Sequence, residues 1–418
     1  MRYDAVIVGG GAAGLLCAGF AARRGLSVLV AEGRERPARK ILVTGKGRCN
    51  LTNNCPPDEV MKNVMSNPKF LYSALSRFSP ADTMALFEGL GVPLKTERGN
   101  RVFPVSDSAR DVADALVRFA REGGARIVQA KVSEILLEDG AAAGVRSQDG
   151  REFRGRSVVL AAGGMSYPGT GSDGSGFRLA AGAGHTIVEP RGSLVPILCA
   201  EDCCGRMAGL SLKNVTLTLW ERGKKKPLFQ ELGEMLFTHS GVSGPLVLSA
   251  SAWMRKPAGE YRLAIDLKPG LTPEQLDARL LRDLEDAPNR DLGNILGSLL
   301  PRVLILPLLE AAQVPPDRKA HHLTREERSR LAGLVKAFPL TPTALGPVEE
   351  AVVTAGGVKV SQVDPGTMAS RLVPRLYFAG EVLDIDARTG GFNLQLAFST
   401  GYAAAMGLPG PENGEVKV

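Results

Sequence analysis

The feature that most narrows what this chain can fold into is Gly9-Gly10-Gly11-Ala12-Ala13-Gly14, a Gly-x-Gly-x-x-Gly loop between two differently patterned segments. Ahead of it, Tyr3 to Val8 is a short β-branched run, the pattern of a parallel strand buried on both faces. Behind it, Ala12 to Arg24 reads as a helix, with small residues on the side that must approach a sheet. Ser27 to Ala31 reads as a second buried strand and ends at Glu32. Strand, glycine turn, helix, strand and terminal acid make one βαβ unit of the dinucleotide-binding kind. In that unit Gly9 permits the tight turn, Gly11 lets a pyrophosphate reach the backbone, and Gly14 lets helix and strand pack closely. The opening N–H groups of the helix, at Ala12 and Ala13, supply the positive dipole end, and Glu32 is placed to accept hydrogen bonds from the adenosine ribose.

The glycine loop alone does not separate FAD from NAD; the C-terminal segment does. Leu376 to Ala379 is a buried strand that lands on Gly380-Glu381, where FAD folds of this type hold the ribityl hydroxyls. Thr389-Gly390-Gly391-Phe392-Asn393-Leu394 then opens a helix whose first N–H groups can face the flavin edge on which negative charge develops. An NAD site needs neither feature. Arg156 to Ala161 is a further buried strand ending at Ala162-Gly163-Gly164, and Met165-Ser166-Tyr167-Pro168 after it cannot open a helix. One stably held dinucleotide is therefore expected.

Further motifs resemble one family. Lys40 to Asn53 contains Thr44-Gly45-Lys46-Gly47-Arg48-Cys49-Asn50-Leu51-Thr52, and later come Phe237 to Pro245, Thr354-Ala355-Gly356-Gly357-Val358 and Gly380 to Asp384. With Thr389 to Gln395, these segments resemble the YhiN/BaiN-like flavoproteins over essentially the whole chain, Phe392 standing where a Tyr is often seen. The resemblance implies an α/β protein with a split, Rossmann-like FAD-binding domain of glutathione-reductase type. Into it is set a β-barrel-like domain that itself carries a small helical insert. The expected boundaries are 1–190 and 347–418 for the FAD domain, 191–270 with 325–346 for the barrel-like domain, and 271–324 for the helical insert. The resemblance also implies that Lys40, Gly45, Lys46, Gly47, Arg48, Cys49, Asn50 and Thr52 run along the FAD, with Ala162 and Gly163 beside it. Cationic groups there would tune the flavin potential. Cys49 has no Cys-x-x-Cys partner and reads as a structural thiol.

At 418 residues with a net charge of +7, the chain is large enough for two or three domains and only modestly basic. Six Cys without metal-ligand spacing, no apolar leader ahead of Tyr3, and Pro301 and Pro307 interrupting Ile295 to Leu309 point to a reduced, cytoplasmic protein with no metal and no membrane partner. The leading expectation is an NAD(P)H-driven FAD reductase acting on the activated alkene of a small organic, bile-acid or steroid-like, enone. NAD(P)H would be a transient donor without a Rossmann domain of its own. The alternative is an aminoacetone-type amine oxidase producing peroxide. An FAD-containing RNA-modifying protein ranks last, because no concentrated basic face is evident and no stable nucleic-acid partner is expected. Arg101, in Gly99-Asn100-Arg101-Val102-Phe103, is a candidate for an anionic substrate or a structural brace. The sequence names no catalytic acid or base and no oligomeric state.

Overall fold

The computed structural model describes residues 2–411; Met1 and residues 412–418 of the expected C-terminal FAD segment lie outside it. The chain divides into two compact units. One contains the residues up to Ser193 together with those from Val348 onward, and the other is Leu194–Pro347.

In the first unit the strand Arg2–Val8 pairs in parallel with Val28–Glu32 on one side and Glu152–Leu160 on the other. Arg126–Gln129 extends the sheet beyond Val28–Glu32, again in parallel. The outer edge of Glu152–Leu160 is shared between two partners. Its first half pairs antiparallel with Ala141–Ser147, and its second half pairs in parallel with Leu376–Phe378. The returning C-terminal segment thus adds a strand to the sheet begun by the N-terminal one.

Small residues explain the helix that follows the glycine loop. Ala12–Arg23 is buried along most of its length, packed by the helices Ala109–Glu122 and Phe392–Gly407. A Cβ on Gly19 would lie 2.2 Å from the Phe119 ring, and one on Gly401 would lie 2.5 Å from the Ala13 carbonyl oxygen. Three helices can approach this closely only where side chains are absent or short. Ser108 precedes Ala109–Glu122 at the N-cap position, but its hydroxyl makes no capping bond. A small three-stranded sheet, Thr52–Asn53, Arg101–Pro104 and Leu94–Glu97, is set beside this layer.

The second unit is built on a seven-stranded antiparallel sheet. From one edge the strands run Phe338–Leu340, Tyr261–Asp266, Ser211–Glu221, Phe229–Thr238, Gly241–Ser243, Ile197–Cys199 and Pro342–Leu345. The two edge strands are separated in sequence by Thr341 alone, so the sheet curls until its edges approach. No ladder joins them, and the barrel-like domain is an open, curled sheet.

Two helices, Leu292–Ile295 and Arg302–Ala311, are separated around Pro301. Helical structure also runs past 324, through Arg325–Lys336, started by a Thr324/Glu327 capping box. Helices and sheet bury their apolar faces in one shared core, so the helical segment has no separate core. Among the described residues no helix is long and apolar enough to cross a membrane.

Candidate functional site

The glycine loop is shaped by contacts that forbid side chains. Gly9 has φ +103°, and a Cβ there would sit 2.5 Å from the Ala161 carbonyl oxygen and 2.9 Å from the Ala162 Cα. A Cβ on Gly14 would lie 2.0 Å from the Gly9 carbonyl oxygen. Gly11 differs: a Cβ on it would meet no protein atom within 4 Å. Gly11 is also the N-cap of Ala12–Arg23, with no capping side chain and no acid in the first turn. The loop therefore presents free N–H groups of a helix start to open space.

Glu32 ends its strand beneath this loop. Its Oε2 accepts from the Gly10 N–H at 2.7 Å and its Oε1 from the Arg34 N–H at 2.8 Å. Burial nevertheless pushes its carboxyl above the usual range, against those two bonds. The acid read as a ribose acceptor thus also braces the loop, and each carboxylate oxygen retains a further lone pair.

Gly380 has φ +76°, and a Cβ there would lie 2.8 Å from the Ala13 Cβ, which puts this turn against the start of the first helix. Beyond the strand Glu152–Leu160, Ala162 lies against Gly9 and is followed by Gly163 at φ +74°. Glu381 is held by three partners. Its Oε2 accepts from Lys40 Nζ at 2.6 Å, and its Oε1 accepts from Ser166 Oγ at 3.1 Å and from the Thr354 N–H at 2.8 Å. Lys40 Nζ also donates to Ser166 Oγ at 2.6 Å, and Thr354 Oγ1 accepts from the N–H groups of Met165 and Ser166. Sequence reading marked Lys40 and Glu381 but not Ser166 as a partner. Its only signal was a hydroxyl two residues after the Gly163-Gly164 turn, in a segment noticed for being unable to start a helix.

The Lys40 to Asn53 segment does not act as a single row of ligands. Gly45, Lys46 and Gly47 are exposed in left-handed backbone. The Arg48 guanidinium donates to Glu97 and to Asp107, 2.6 and 2.8 Å for the latter, and lies over the Phe103 ring. Its charge is thus shared by two carboxylates. Cys49 reads as a structural thiol in the sequence. Its side chain lies in the hydrophobic core, and burial pushes the thiol up to about 12, leaving it protonated and inert at neutral pH. Asn50, with its amide turned to satisfy its neighbours, donates to the carbonyls of Val102 and Thr52 and accepts from the Gly391 N–H at 2.9 Å. Thr52 is buried and donates to Gln395 Oε1 at 2.6 Å. Asn53 donates at 3.0 Å to both the Gly99 and the Gly390 carbonyls.

These bonds place the Gly390-Gly391 turn directly on the Asn50–Asn53 segment. A Cβ on Gly391 would lie 2.2 Å from the Thr52 carbonyl oxygen. Asn393 closes the turn on itself through the N–H and carbonyl of Ala387 and the carbonyl of Arg388. Phe392 is buried and Leu394 packs against the same core. Like the first helix, Phe392–Gly407 starts at a glycine N-cap with no capping side chain and no acid in its first turn. Sequence reading also passed over Asp386, a buried carboxylate that accepts from Ser66 Oγ at 2.6 Å and Ser193 Oγ at 2.9 Å. Among the described residues no group of three or more His, Cys, Asp or Glu side chains is arranged to hold a metal.

Two uncapped helix starts, an open Gly11 cradle and a ribose-side acid fit FAD. Comparison with known proteins agrees. The family model described as the HI0933-like protein Rossmann domain matches residues 3–407. The chain belongs to the HI0933-like family. A ribosomal RNA dihydrouridine synthase of Escherichia coli is 32% identical over 411 residues, covering 97% of this chain and 98% of that protein. A 3-dehydro-bile acid delta(4,6)-reductase of Clostridium scindens is 32% identical over 403 residues, covering 95% of this chain and 97% of its own. The 3-ketosteroid delta1-dehydrogenase of Sterolibacterium denitrificans shares the fold at a TM-score of 0.51 and 14% identity, over 97% of this chain and 99% of that one. As an HI0933-like protein, the chain is an enzyme of the FAD-dependent oxidoreductase class.

Proposed function

We propose that this HI0933-like protein reduces a carbon–carbon double bond conjugated to a carbonyl, and that the acceptor is a uracil ring of ribosomal RNA. The observation that carries the reaction class is that full-length relatives of two kinds share it. Dihydrouridine is uridine with its ring alkene saturated next to a carbonyl, and a delta(4,6)-reductase named for a 3-dehydro-bile acid acts on the same arrangement. The RNA acceptor is favoured because a second relative, from Haemophilus influenzae, carries the same synthase name at 31% identity over 96% of this chain. This raises the reading that sequence alone ranked last, with RNA as a transient substrate. The small enone is the second reading. No observation at the site favours amine oxidation, and it is not advanced.

Bound FAD, once reduced by NAD(P)H, would supply hydride to the alkene carbon remote from the carbonyl, with a proton from water reaching the adjoining carbon. The chain's part is holding and shielding. The Gly11 to Ala13 N–H groups would take the pyrophosphate, Glu32 the adenosine ribose, and the helix start at Phe392 and Asn393 the electron-rich edge of the ring. Lys40 is anchored by Glu381 and Ser166.

The test is to delete the gene and measure dihydrouridine in ribosomal RNA by mass spectrometry, then return the wild-type chain. Loss and recovery of a modified position is expected. Unchanged dihydrouridine, with anaerobically NAD(P)H-reduced protein reoxidised by a steroid enone, would replace the RNA acceptor with the small one. Failure of both acceptors would sink the reaction class.

A further inference from the structure

The basic side chains around Phe103 fall into two sets. Arg48 and Lys95 are neutralised by Glu97 and Asp107. Arg98 and Arg101 are not: no carboxylate pairs with either among the described residues, although Arg101 Nε donates to the Arg98 carbonyl at 3.0 Å. Arg98 is exposed in the turn joining Leu94–Glu97 to Arg101–Pro104, and Arg101 is partly so. This turn is one side chain away from the turn assigned to the flavin, because the Asn53 amide bonds both the Gly99 and Gly390 carbonyls. The Asn54 N–H bonds the Asn100 carbonyl at 2.7 Å, so the strand Thr52–Asn53 fixes the placement of the turn.

Guanidinium forks left free beside a reaction centre suit an anion with paired oxygens. We propose that Arg98 and Arg101 grip the phosphodiester backbone flanking the target base, holding the RNA while its base reaches the flavin. This rests on the RNA reading above and adds its docking element. Phosphate also occurs in a pyridine dinucleotide, so the test separates the two.

The holo protein and its Arg98→Gln/Arg101→Gln variant would be titrated with a ribosomal RNA fragment at several salt concentrations, and separately with NADPH. Arg121→Gln, on an exposed side chain of another helix, serves as the charge control. Each single-strand phosphate contact contributes roughly 0.7 to the slope of log affinity against log salt. The double variant is expected to lose about 1.4 from that slope and bind RNA more weakly, while the control and the NADPH affinity stay unchanged. An intact slope overturns the proposal, and so does an intact slope accompanied by weaker NADPH binding. If the wild-type chain shows no salt-dependent RNA binding at all, the RNA reading itself fails. Equal melting temperature and flavin content of the double variant and wild type exclude misfolding as the cause of a loss.

Discussion

Gly14 and Glu32 show how single residues carry the site. A methyl on Gly14 would be driven into the Gly9 carbonyl, backbone against backbone, where neither side can yield. Gly14→Ala is expected to cost about 1–3 kcal/mol and to yield protein with little flavin, read as the flavin-to-protein ratio and the melting temperature. Gly89→Ala is the contrast, since a methyl there meets nothing within 4 Å. It should keep the flavin and gain up to about 1 kcal/mol. For Glu32 the sign follows from burial. Its folded carboxyl holds a proton to higher pH than the unfolded chain does, so stability falls as pH rises from the ordinary carboxylate range through the raised value. In FAD-free protein, Glu32→Gln should flatten that part of the curve of urea midpoint against pH. A curve matching the wild type would remove Glu32 as its source.

At the scale of elements, the closing helix Phe392–Gly407 ties the site together through Gln395. Its buried amide accepts from Thr52 and Thr83 and donates to the Phe78 carbonyl and Ser399. Gln395→Leu would strip the acceptor from two buried hydroxyls, each costing about 1–3 kcal/mol, while the Phe78 carbonyl keeps its bond from Ser399 Oγ. Chemical denaturation is expected to show a loss of several kcal/mol, with flavin released at lower denaturant than in the wild type. A change within experimental error would mean that water replaces the amide. This helix was legible in sequence to within a residue at its start, because Gly390-Gly391 breaks the chain and a long apolar run follows. The small sheet of Thr52–Asn53, Leu94–Glu97 and Arg101–Pro104 was not. Strands this short carry no periodicity, and their pairing joins residues far apart in the chain.

For the whole molecule, the ends of the inserted unit are the informative point. Ser193, the last residue before it, is register partner to Val353 in the antiparallel ladder of Ile187–Ser193 with Val353–Val358. Chain exit and return are therefore neighbours within the first unit, and closing that gap needs only a short loop. Replacing Leu194–Pro347 by a short Gly/Ser linker is expected to leave a folded protein that still binds FAD. Leu194–Pro347 alone, with its own core, should melt cooperatively. A flavin-free product from the first design would show that FAD retention needs the inserted unit.

The sequence by itself determined the βαβ unit, the return of the chain to the same sheet and the positions where no side chain fits. Those features rest on local spacing: buried strands are continuous apolar runs, and glycine is the residue that tolerates backbone in contact with backbone. Only the tertiary structure decided which polar groups remain free to act. Arg48 meets Glu97 and Asp107, and Lys40 meets Glu381 across a separation of 341 residues. Charge compensation is a property of neighbours in space, and a linear pattern does not record it. The same folding that commits Arg48 to carboxylates leaves Arg98 and Arg101 without them.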